Sequence, residues 1–168
     1  MQRQILQKGL MKASQWAIKA AKEGFQIPIS QSVLDSLVGR VDDPSVRDLS
    51  LRAQTDNRVA LSGLKKKGVW VEFSALFQLS SPGADDPGRS LVLDLEKAEP
   101  FFARNAVLTA LDDIDGVAVT GERVLVDLDD ILDRNEWVRK IPKALRSRLR
   151  IADVGTEEGR INLRIALS

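Results

Sequence analysis

Residues 67–81 read KGVWVEFSALFQLSS, and every odd position from Val69 to Leu79 is apolar: Val69, Val71, Phe73, Ala75, Phe77 and Leu79. The even positions are mixed, with Trp70, Glu72, Ser74, Leu76 and Gln78. Successive side chains of an extended chain point to opposite faces, so this spacing predicts one strand with a continuous apolar face. At about 3.3 Å per residue it would reach roughly 36 Å.

The same period surrounds it. VRDLSLRA (46–53) alternates through Leu49, Leu51 and Ala53, TDN (55–57) supplies hairpin-turn chemistry, and RVALSGL (58–64) returns. KKKG (65–68) interrupts before the long strand; lysines at such a junction keep an edge from pairing. Beyond the polar loop SSPGADDPG (80–88), RSLVLDLE (89–96) brings Leu91, Leu93 and Leu95 to one face. Four meandering antiparallel strands are predicted.

Helical periods flank this meander. In residues 1–24, Ile5, Leu6, Leu10, Ala13, Trp16, Ala17 and Ala20 share one face, with Lys8, Lys12, Lys19 and Lys22 opposite. Such a helix either packs over the sheet or lies on an anionic membrane; its many alanines favour packing. Pro28 stops any helix, and Ser30 is placed to cap a short one carrying Val33, Leu34, Leu37 and Val38. Pro100 opens another, with Phe101, Phe102, Val107, Leu108, Leu111 and Ile114 as its stripe and Gly116 as its end. VAVTGERVLVDL (117–128) reads as a strand pair kinked at Gly121, and residues 129–149 as helix broken at Pro142. A terminal hairpin closes the chain, with Ile161, Leu163, Ile165 and Leu167 inward.

The expected fold is α+β: a long twisted antiparallel sheet packed on two or three helices, in a single domain over residues 1–168. Residues 1–26 form its basic amphipathic helix and residues 27–168 its body. With 43% apolar and 29% charged residues the composition is that of a globular chain. The net charge of +1 conceals segregation: residues 1–24 and 137–150 are basic, and about 85–136 acidic. No continuous apolar region precedes a small-residue cleavage site, so a cytoplasmic location is expected, peripheral to the inner membrane at most.

The chain has no histidine, cysteine or tyrosine. That excludes Ser–His–Asp and Cys–His catalysis, zinc sites built on those ligands, and disulfides. Asp112, Asp113, Asp115, Asp127, Asp129, Asp130 and Asp133 cluster in sequence, but their spacing matches no EF-hand loop. Helix capping is the expected use of Asp127, Asp129 or Asp130. No enzyme activity, metal or cofactor is expected. The run VRKIPKALRSRLR (138–150) could meet phosphates, yet there is too little aromatic interleaving for nucleic-acid recognition.

The order of ISQSVLDSLV (29–38), the meander from Val46 to Leu79, GVAVTGERVLVDL (116–128) and the closing hairpin from Ile151 resembles the LmeA-like phospholipid-binding domain. That family is related to the tubular lipid-binding (TULIP) superfamily, and the likeness spans about residues 27–167. It implies a long helix wrapped by a strongly twisted antiparallel sheet, an apolar groove, and lipid binding without catalysis. The expected groove wall is Val69, Val71, Phe73, Phe77, Leu91, Leu93, Phe101, Phe102, Leu108 and Leu111. Arg139, Lys140, Lys143, Arg146, Arg148 and Arg150 would hold head groups. The expected partner is a lipid or another apolar small molecule, with a peripheral membrane contact; nucleic acid is not expected. The alternative is a protein–protein module, such as a homodimer, without a small ligand.

Overall fold

The period-two stretches become strands of two antiparallel sheets. A computed structural model of the chain describes residues 15–16, 18–19, 21–82, 87–136 and 138–167. In chain order the first elements are β1 (Phe25–Ser30), α1 (Gln31–Val38), β2 (Val46–Gln54), β3 (Arg58–Lys67), β4 (Val69–Ser80) and β5 (Ser90–Glu99). Then come α2 (Ala103–Asp112), β6 (Val117–Thr120), β7 (Arg123–Asp127), α3 (Leu128–Asp133) and a 3₁₀ turn at Val138–Lys140. The last are α4 (Lys143–Arg146), β8 (Leu149–Glu157) and β9 (Arg160–Leu167).

One sheet has six strands in the order β2–β3–β4–β5–β7–β6, and the other has three in the order β1–β9–β8. The predicted meander is therefore present, and the sheet-plus-helix class is as expected. The β2–β3 turn places Asp56 and Asn57 at φ 62° and 58°. Short polar side chains tolerate that left-handed backbone because they can hydrogen-bond locally.

Both sheets face one core. Phe73, Ala75, Phe77 and Leu79 of β4 are buried with Val59 and Leu61 of β3 and with Leu91, Leu93 and Leu95 of β5. Ile27 and Ile29 of β1 and Ile161, Leu163 and Ile165 of β9 belong to the same cluster, as do Val107 and Leu111 of α2. Each such valine, leucine, isoleucine or phenylalanine side chain, fully buried, contributes about 1.5–3 kcal/mol. Backbone bonds tie the sheets at the margin: Gly159 N–H donates to Ala53 C=O at 2.9 Å, and Ile151 N–H to Gly88 C=O at 2.7 Å.

Several expectations change. β3 runs on through Lys65–Lys67, because Lys66 and Lys67 pair with Trp70 and Val69 rather than interrupting the ladder. FQIPIS (25–30), read only as a helix stop, is β1; its partner β9 lies at the other end of the sequence, out of reach of local pattern. β1 is an edge strand, so Pro28, which lacks an N–H, is tolerated. Ser30 precedes α1 as expected, but its hydroxyl meets Ser32 Oγ at 2.9 Å and caps no backbone N–H.

Of the N-terminal helix, residues 1–14 lie outside the described residues. Helical turns are present at 15–16, 18–19 and 21–23, with Ala21 buried. Trp16, expected on the packed face, is 61% exposed. The longest helix bounded among the described residues is α2, with ten residues.

Candidate functional site: an apolar cleft between two sheets

β1 runs directly into α1, so the inward isoleucines of the strand and the apolar stripe of the helix sit side by side. Ile27 and Ile29, with Val33, Leu34 and Leu37, form one wall of a cleft of about 120 Å³. Leu91 and Leu93 of β5, Val126 of β7, Ile131 of α3 and Ile161 of β9 complete it. The polar side chains that line it are Asp130, Arg134 and Asn135 at the end of α3. Arg134 Nη2 donates to Asp130 Oδ2 at 3.2 Å, one helical turn away. The cleft is thus greasy within and charge-balanced at one rim.

Volume decides what it can take. Pockets for whole small-molecule ligands run about 300–1,000 Å³. A dry apolar cavity of about 150 Å³ accepts one benzene. This cleft has room for the end of a single chain or one apolar side chain, not for a two-tailed phospholipid.

The expected groove wall is split among three places. Leu91 and Leu93 line the cleft. Phe73, Phe77 and Leu111 are buried in the closed core, while Val71, Phe102 and Leu108 are half-buried. Val69 and Phe101 stand exposed. Alternation reports which side chains share a face, not whether anything covers them. The wall formed by Ile27, Ile29, Ile161 and α1 was not anticipated. Its signal was the apolar pair in FQIPIS directly before the stripe Val33, Leu34, Leu37.

The basic stretch does not converge on one anion site. Pro142 breaks it, so Arg139 and Lys140 fall on the 3₁₀ turn, Lys143 and Arg146 on α4, Arg148 after it, and Arg150 on β8. Arg139 Nε donates to Asp133 C=O at 2.8 Å, and Arg146 Nη1 lies 3.5 Å from Asp133 Oδ1. Lys143 and Arg146 share their depression with Asp129 and Asp133, which lowers its appeal to an anion.

The part of the acidic cluster at 127–133 is likewise committed. Asp127 accepts from Asp129 N–H at 3.2 Å as the cap of α3, as expected for one of the three candidates. Asp129 holds Arg89 at 2.5 Å, and Arg89 also donates to Leu149 C=O at 2.5 Å, so this pair locks α3 to β8. Among the described residues no three carboxylates gather as a metal site would require.

No protein-family model matches the chain, and neither the curated proteins nor the solved structures yield a match. Among the described residues no helix is long and apolar enough to cross a membrane. Fold and site together define an α+β domain of two antiparallel sheets on a shared core, with a small apolar cleft.

Proposed function

We propose that this protein binds the apolar end of a single-chain lipid or similar amphipathic molecule, without catalysis. The observation that carries the reading is the cleft itself: its inner lining is aliphatic and its rim holds one arginine. A void of that size forgoes up to about 3 kcal/mol of packing, at roughly 24 cal/mol per Å³. A hydrocarbon guest recovers part of that. Arg134, released from Asp130, would meet an anionic head group, since its guanidinium suits a carboxylate or phosphate. The LmeA-like resemblance supports a lipid class, and the volume narrows it to one tail at a time. The cytoplasmic face of a membrane is the proposed location.

Titration of the protein with a fluorescent single-chain fatty acid tests this. Saturable one-to-one binding that Val33→Phe abolishes is expected, because the larger side chain occupies the cleft. Absence of saturable binding, with a lipid-free mass in native mass spectrometry of the purified protein, overturns it.

A second reading, a protein–protein module, draws on the same volume, which also fits one leucine or phenylalanine side chain of a partner. It requires a lipid-free mass together with an assembly that Val33→Phe disrupts.

A further inference from the structure

We propose that the β3–β4 turn and the adjoining Phe101 corner form a docking tip for anionic phospholipid surfaces. β4 is longer than the core it covers. Its buried face begins at Phe73, and the strand before that projects, leaving Val69 69% exposed. Gly68, at φ 79°, makes the reversal from Lys67 to Val69. Where β5 ends, Phe101 is 95% exposed. The two apolar points belong to one surface. Phe101 packs edge-on against Phe102 with ring centroids 5.7 Å apart, and Lys67 Nζ lies 5.3 Å from the Phe102 ring centre. Lys67 pairs in turn with Val69.

The charges at this corner are uneven. Lys65 is spent at the base, donating to Ser45 Oγ at 2.5 Å and lying 3.7 Å from Asp43. Arg47 stacks 4.1 Å from the Trp70 ring centre. Lys66 and Lys67 make no salt bridge among the described residues and are exposed. Two carboxylates lie near. Glu99 is held by Lys97 at 3.2 Å. Glu72 is exposed on β4, four residues past Gly68. Lys66 and Lys67, with Arg47 on Trp70 beside them, outnumber Glu72, so the corner keeps a net positive charge.

Composition selects the partner. Protein–protein interface centres are depleted in lysine, whereas lysine beside exposed aromatic and aliphatic side chains suits the anionic membrane interface. Valine and phenylalanine would enter the head-group boundary while Lys66 and Lys67 meet phosphates. This surface is separate from the cleft and acts with or without a ligand there.

Because the chain has no cysteine, one can be introduced as a unique reporter. The full chain is labelled with a polarity-sensitive dye at Val69→Cys, Phe101→Cys or Glu158→Cys. Glu158 lies in the β8–β9 turn, whose Gly159 bonds Ala53, at the opposite end of β3 from Lys67. Each form is floated with vesicles of equal phosphatidylglycerol and phosphatidylcholine, and with phosphatidylcholine alone. Expected are flotation with the anionic vesicles only and a blue shift at positions 69 and 101 but not 158. In unlabelled protein, Lys66→Ser with Lys67→Ser should weaken binding about tenfold or more. Phe101→Ser with Val69→Ser should do the same, and Val33→Phe should leave flotation unchanged. No flotation, flotation without the shift at 69 and 101, or a shift that grows with protein concentration in the absence of vesicles overturns the proposal.

Discussion

Gly63 of β3 pairs directly with Phe73 of β4, and the phenyl ring occupies the space a side chain at Gly63 would need. A Cβ there would fall 3.0 Å from Phe73 Cζ and 2.8 Å from Leu49 Cδ2. The missing side chain leaves room for the first buried aromatic of β4 beside its neighbour strand. Below Phe73 the core is closed; above it the strand projects into the tip.

Gly63→Ala should therefore destabilise the fold by about 1–3 kcal/mol, the range for overpacking a filled core. Urea denaturation measures it, and a stability within 0.5 kcal/mol of the parent protein would show that the ring moves aside freely.

Two phenylalanines that look alike in the sequence should behave in opposite ways. Phe77 is 1% exposed and Phe101 is 95% exposed. Phe77→Ala should cost about 3–5 kcal/mol. Phe101→Ala should stay within about 0.5 kcal/mol of the parent. Melting of the two variants side by side is the measurement, and equal losses would contradict the placement of the tip.

Asp43 braces the base of the tip. Its carboxylate accepts from Ser45 Oγ at 2.6 Å and Ser45 N–H at 2.9 Å. These bonds, the hydroxyl first, hold its carboxyl below the usual range, with a lesser contribution from Lys65 and against the opposing effect of burial. A folded-state value below the unfolded one, about 3.9, stabilises the fold above roughly pH 4. That stabilisation is lost as pH falls through the lowered folded value. Asp43→Asn should thus cost about 1 kcal/mol at pH 6 and progressively less below pH 4. A gap that widens on acidification would refute the assignment.

Filling the cleft should separate stability from binding. Val33→Phe should raise thermal stability, by up to about 2 kcal/mol as cavity-filling changes do, while removing fatty-acid binding. A destabilised variant that still binds would place the guest elsewhere.

The four-strand meander was legible because each strand finds its partner through a short turn, and alternation then leaves one register that buries the apolar face. The α3 cap at Asp127 was legible for a similar reason, since capping needs only the next few residues. β1 was not: FQIPIS alternates, but Pro28 reads there as a stop, and the strand pairs with residues far along the chain. The strand side of one cleft wall, Ile27 and Ile29, was lost with it.

Local sequence determined which side chains share a face, where the chain turns, and which chemistries lack their residues. Only the tertiary structure decided how much of each face is covered. Val69 and Phe77 satisfy the same period-two rule, yet one stands in solvent and the other at the centre of the core. Coverage depends on where the ends of a long strand fall relative to a second sheet built from distant segments, and no local pattern encodes that distance.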